Sequence, residues 1–278
     1  MNGSSRFLRV RLLVPALALL AGSLALPAAA VAANPLSGNC NVVQINNNSW
    51  VTSTADSTQA QGWITTVSAR ISVYNYALCN AFIIAPNVSA SMAWVAIEGM
   101  PTSGNNIVQV GYIKCQIVCV NGFDYQVLDY FWAAGQDGDI FHLPFPVKIG
   151  VADASQSHTF VTQLRMVNGA YQWQFLIDGV IRATTNDSWR TWNRNRIEIG
   201  NEVWNCGDQL GGRTASGTDP GNQQKFDQVA WTNASSHTGG LGPSEPAGNS
   251  YPWSDSHDYS SAKFHVWTSA HTAGDCSG

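Results

Sequence analysis

The chain has 278 residues, only 12% of them charged, with 14 Lys and Arg against 18 Asp and Glu. That lysine-poor, mildly acidic balance excludes phosphate-rich partners, because nucleic acid and anionic membranes are gripped by clustered cations. Polarity comes mostly from Asn, Gln, Ser and Thr, which leaves the surface little dependent on ionisation and compatible with work in acid.

The first segment reads as an export signal. Arg6, Arg9 and Arg11 form a basic start, an apolar run covers 12–26, and Ala30-Val31-Ala32 gives a small-x-small cleavage pattern. The run is short of the ~20 residues that a spanning helix needs. Residues 1–32 are therefore expected to be removed, and 33–278 to be a secreted, monomeric single domain. That part keeps 11 basic and 18 acidic residues, a net charge of −7. No later stretch is apolar enough to span a membrane. Residues 33–66 are polar and fit either a propeptide or an N-terminal strand with its approach.

All six cysteines (Cys40, Cys79, Cys115, Cys119, Cys206 and Cys276) fall after the signal. An even number in an exported chain reads as disulfides, and six cysteines allow 15 pairings. Cys115 and Cys119 make a short local pair. Paired CxxC or HxxxH units are missing, so neither a metal nor any other cofactor is expected.

The rest is patterned as strands, at 67–74, 93–97, 107–113, 159–167, 171–177, 180–184, 196–203, 226–232 and 264–268. Asn168-Gly169 and Asp178-Gly179 are two-residue hairpin signals. No segment shows capped helical periodicity. Short strands between Gly and Asn turns predict an all-β sandwich or jelly roll. Residues 207–224 and 235–258, rich in Gly, Ser, Pro and Asp, read as long surface loops. Eleven tryptophans are scattered throughout. Trp94 and Trp173 lie in strand patterns that suit a core, while Trp189 and Trp192 suit a cleft wall. No GxSxG elbow, HExxH helix or phosphate-binding glycine loop is present.

Two segments carry something more specific. One is Trp94-Val95-Ala96-Ile97-Glu98-Gly99, followed by Ile107-Val108-Gln109-Val110-Gly111-Tyr112. The other is Ile197-Glu198-Ile199-Gly200-Asn201-Glu202, followed by the run 226–232 and Asn233-Ala234-Ser235. Together they resemble the eqolisin family of glutamic peptidases. The resemblance implies a concanavalin-like jelly-roll β-sandwich of two antiparallel sheets. It implies acid peptide hydrolysis with Gln109 and Glu202 as the catalytic pair, drawn from adjacent strands. It also implies substrate contacts from Trp94, Glu98, Tyr130 and Trp132, with Glu98 where the family has aspartate. The sequence departs from the family at Phe131, which replaces a glutamate, and at Ala133-Ala134, which replace tyrosine and proline. Ile113 and Lys114 stand where an aspartate is expected.

The pair makes chemical sense. A carboxylate takes a proton from water, and a neutral amide orients that water and donates to the developing oxyanion. The expected partner is a polypeptide. The alternative is a polysaccharide, met by a lectin-like binding domain or a β-glycanase. For a glycanase, Glu198 and Glu202 are a poor pair. Residues four apart on one strand share a face but lie ~13 Å apart, whereas glycosidases need about 5–9.5 Å between carboxyl groups. Only a bulge at Gly200 could shorten that gap.

Overall fold

The structure is a computed structural model. It describes residues 49–57, 62–75, 78, 89–99, 106–116, 127–135, 147–154, 156–186, 194–203, 212–213, 224–242, 247–248 and 260–268. The signal reading at 1–32 lies outside these residues, as do Trp189, Trp192 and every cysteine except Cys115. The thiol of Cys115 is not free.

The described residues are strands and turns. One sheet contains β1 (Ser49–Asp56), β3 (Ser89–Gly99), β4 (Asn106–Gln116), β5 (Leu128–Gly135), β6 (Val147–Val151), β10 (Arg194–Val203) and β14 (Ala247–Gly248). Its order is β14-β1-β10-β3-β4-β5-β6. The other contains β2 (Ile64–Ser72), β7 (Ser157–Val167), β8 (Ala170–Ile177), β9 (Val180–Asn186), β11 (Gly212–Arg213), β12 (Gln224–Asn233) and β15 (Phe264–Thr268). It runs β11-β15-β12-β2-β7-β8-β9, with β13 (Thr238–Gly239) also on β12. Every pairing is antiparallel except β11 with β15. The result is a concanavalin-like jelly-roll sandwich.

Alternation builds the core. Successive strand side chains point to opposite faces. Ala93, Val95 and Ile97 of β3, Val108, Val110 and Tyr112 of β4, and Ile197 and Ile199 of β10 turn inward. There they meet Val67, Ala69, Ile71, Phe160, Leu164, Trp173, Phe175 and Phe226 of the facing sheet, all buried. Trp173 and Trp94 are both buried in apolar clusters, as the sequence predicts. Trp94 belongs to the outer face of β3, away from the inter-sheet core.

Polar groups also cross between the sheets and pair there. Asn201 Nδ2 of β10 donates to Gln224 Oε1 of β12 at 2.6 Å and to the Met92 carbonyl at 3.3 Å. Gln224 Nε2 in turn donates to the Ser72 carbonyl at 3.0 Å and to the Tyr112 hydroxyl. A second inter-sheet contact follows from a register shift between Arg194 and Arg196. A bulge reverses the facing of the residues before it. Arg194 is turned into the core, its guanidinium 5.0 Å from the Trp63 ring and 5.8 Å from that of Trp173. Arg196 is left on the outer face.

Both hairpin signals form the turns expected of them. Asn168 and Gly169 have φ of 49° and 82°, Asp178 and Gly179 51° and 75°. Two positive φ values in a row define the type I′ turn, which Asn, Asp and Gly tolerate. Asp178 also accepts hydrogen bonds from His158 Nδ1 at 2.5 Å and from the Thr159 backbone N–H at 2.9 Å. Desolvation pushes its carboxyl up, but these bonds and the charges of His158 and Arg182 outweigh it and hold the group below its ordinary value. A carboxyl group depressed by folding stabilises the fold above its unfolded pKa. That contribution is lost as pH falls through the folded value. Between about pH 5 and pH 2, the melting temperature should therefore fall more steeply in the native protein than in Asp178→Asn. Parallel curves would show that the contact contributes nothing.

Candidate functional site

The outer face of the β1-containing sheet is built from rows of residues in register across strands. One row runs Thr54, Glu198, Ala96, Gln109, Ala133. The row on one side of it is Asp56, Arg196, Glu98, Ile107, Gly135. On its other side lie Thr52, Gly200, Trp94, Gly111, Phe131, and then Trp50, Glu202, Met92, Ile113, Asp129. The middle of this face is buried, with Met92, Trp94, Ala96, Ile113, Phe131 and Ala133 forming a second apolar cluster.

Trp94 has glycine as its cross-strand partner on both sides, Gly200 of β10 and Gly111 of β4. Trp94 is only 4% exposed, and its Nε1–H is buried without an acceptor among the described residues. A buried donor left unpaired costs about 1–3 kcal/mol.

The registers decide which carboxylate faces Gln109. Glu198 stands on the far side of Ala96, two strand spacings or about 10 Å away between Cα atoms. Ala96, buried between them, contributes only a methyl group to this row. Glu202 shares the face but lies four residues, ~13 Å, further along β10. The expected adjacency of Gln109 and Glu202 is therefore corrected. They come from β4 and β10, and β3 lies between those strands. The alternation expected on both strands is present, with Ile197, Ile199, Val108, Val110 and Tyr112 in the core. No register shift interrupts β10 from Arg196 to Val203, so no bulge at Gly200 draws Glu198 and Glu202 together.

Glu98 completes the cluster. It is half-buried on β3, diagonal to Glu198, and the two carboxyl groups are hydrogen-bonded. Burial, then the charge of Glu198 and the hydrogen bond to it, push Glu98 up to about 10 against the opposing charge of Arg196. The Glu98 carboxyl therefore keeps its proton at neutral pH. Arg196 is occupied in the other direction, its Nε and Nη2 donating to the two oxygens of Asp56 at 2.7 and 3.3 Å. The site thus offers an acid, a carboxylate, an amide and an indole N–H on one sheet face. Among the described residues no group of three or more His, Cys, Asp or Glu is arranged to hold a metal ion. No described helix is long and apolar enough to cross a membrane.

Of the residues that the resemblance implicates, Glu98 and Gln109 lie diagonally on β3 and β4, while Trp94 and Glu202 lie further along the same face. Tyr130 and Trp132 do not join them. Both turn inward from β5, Trp132 stacking on Phe175 at 5.0 Å and Tyr130 lying edge-on to Phe160 at 5.8 Å. Phe131, between them, takes the site face. The sequence motifs leave Glu198 without a role. A signal for it exists, since alternation from Glu202 through Gly200 puts it on the same face as Gln109.

No family model matches the chain, and no curated protein does. Two solved structures show what it is similar to. One is the complex of the kappa-carrageenase from Pseudoalteromonas carrageenovora with an oligotetrasaccharide of kappa-carrageenan. It is 11% identical with a TM-score of 0.26, over 57% of this chain and 67% of that one. The other is the carbohydrate recognition domain of Emp47p, 13% identical with a TM-score of 0.27, over 59% of this chain and 72% of that one.

Proposed function

We propose that the protein is a secreted hydrolase working in acid, with its site on the outer face of the β1-containing sheet. Glu198 serves as the base that takes a proton from water, and Gln109 orients that water and donates to the oxyanion. The observation that supports this reading is the row Glu198, Ala96, Gln109, which puts a carboxyl and an amide residue in register on the two strands flanking β3. Such a pair suits attack of water on a carbonyl carbon, and the substrate is a polypeptide.

A polysaccharide is the second reading, favoured by the indole N–H of Trp94 on the same sheet face, which can donate to a sugar hydroxyl. A hydrogen-bonded carboxyl pair is tighter than the ~5 Å of retaining glycosidases, so the geometry favours the carbonyl substrate.

The test is to incubate residues 33–278 with a denatured protein and, separately, with neutral and acidic polysaccharides from about pH 2 to pH 7. Peptide cleavage with an acid optimum is expected, reduced ~10²–10³-fold by Gln109→Ala, the scale of losing one oxyanion donor. Glycan cleavage, or glycan binding without cleavage, would replace the peptidase reading with the second one.

A further inference from the structure

Glu98 has no part in a base-and-amide scheme, yet it is the most strongly perturbed group on the site face. It packs against β10 and β4. From β10 it meets Glu198 and Arg196, and Asp56 acts on it from β1 beyond. From β4 its cross-strand neighbour is Ile107, with Gln109 in the next row. Arg196 is already engaged by both oxygens of Asp56. Among the described residues, Glu98 is hydrogen-bonded to Glu198. Two carboxyl groups in contact cannot both be ionised without a heavy electrostatic cost, so one keeps its proton. On the same face the buried Nε1–H of Trp94 has no acceptor among the described residues.

We propose that Glu98 is a catalytic residue, and that Glu98 and Glu198 share one proton and act as an acid–carboxylate pair in the hydrolysis proposed above. The inference rests on that reading and deepens it. The reaction closes on this pair alone. As the water oxygen bonds to the carbonyl carbon, Glu198 takes the water proton and Glu98 gives its own to the carbonyl oxygen, leaving a neutral tetrahedral diol. Glu198 then returns its proton to the amide nitrogen as the carbon–nitrogen bond breaks, and one diol hydroxyl gives its proton back to Glu98. The products are an acid and an amine, and both side chains end in their starting states. Gln109 donates to the carbonyl oxygen as charge develops on it during the attack, before the Glu98 proton arrives.

Burial and the charge of Glu198 hold the proton on Glu98, while Glu98→Gln keeps a hydrogen-bond donor to Glu198 and removes the transferable proton. The experiment pairs infrared spectroscopy with kinetics on residues 33–278 at neutral pH and in acid. The native-minus-Glu98→Gln difference spectrum should show the carbonyl band of a protonated carboxyl group at neutral pH. Its absence would overturn the shared proton whatever the activity. The same variant should lose ~10²–10⁴-fold in kcat, the scale of general acid catalysis, with KM little changed. Glu98→Asp should restore part of the loss. Full kcat in Glu98→Gln, with Glu198→Gln inactive, would overturn the role of Glu98 and leave the hydrolase reading standing. A native protein that cleaves no polymer overturns the hydrolase reading and the catalytic role with it, and the infrared band then decides the shared proton by itself.

Discussion

Glu198→Gln should reduce peptide cleavage to background, at least ~10³-fold, whereas Glu202→Gln should keep most of it. The resemblance to glutamic peptidases assigns these roles the other way round, so the pair of variants separates motif from geometry. The geometric case is that Glu198 shares a row with Ala96 and Gln109 and touches Glu98, while Glu202 shares a row with Met92 and Ile113. A base must come within one water of the group it serves, and an offset of four residues along β10 puts Glu202 out of that range of Gln109. Glutamine in place of Glu198 still fills the space and accepts a hydrogen bond from Glu98, but it cannot take a proton. Both variants should melt near the native temperature, so that lost cleavage reports chemistry. An inactive Glu202→Gln beside an active Glu198→Gln would return the catalytic role to Glu202.

Gly111→Ala should have the largest effect on the fold. A Cβ at Gly111 would overlap the carbonyl oxygen of Ala93 and stand 2.8 Å from Cα of Trp94. Both are backbone atoms of the neighbouring strand, so no rotamer change relieves the overlap, and β3 and β4 must separate. Overpacking that side chains can absorb costs about 1–3 kcal/mol, and a backbone collision should exceed that. At about 2–4 °C per kcal/mol for a domain of this size, the melting temperature should drop by roughly 10 °C. Failure to fold would be the extreme form of the same result. Gly150 is the control, because an added Cβ there meets nothing within 4 Å. Gly150→Ala should change the melting temperature by no more than a degree or two in either direction. A small drop for Gly111→Ala would mean that the two strands can part at little cost. The site itself depends on this glycine, since Trp94 lies between Gly111 and Gly200 across the sheet.

Much of the fold is legible in the sequence because its signals are local. Asn168-Gly169 and Asp178-Gly179 announce their hairpins through backbone conformations that few residues tolerate. The run 264–268 forms β15 as its pattern predicts, and 107–113 and 196–203 lie inside β4 and β10. Apolar alternation marks these strands. It fails for β1, whose sequence Ser-Trp-Val-Thr-Ser-Thr-Ala-Asp is polar on both faces, and it does not single out β5 and β6. Alternation also assigns faces, putting Gln109, Glu198 and Glu202 on the same side of their sheet.

Rows across strands are out of its reach. A row depends on which strands pair and in what register, and both are set by contacts between residues distant in the chain. Glu98 and Glu198 are a hundred positions apart, and only the antiparallel register of β3 with β10 brings them into contact. The same register puts Ala96 between Glu198 and Gln109. The inward turn of Tyr130 and Trp132 is equally hidden, because their motif records order along the strand and not which face packs on Phe160 and Phe175. The sequence by itself determined the hairpin turns, most of the strands and the face that Gln109, Glu198 and Glu202 take, because these follow from neighbours along the chain. The tertiary structure alone decided which acid stands in the row of Gln109, because rows are made across strands and change if the register shifts by a single pair.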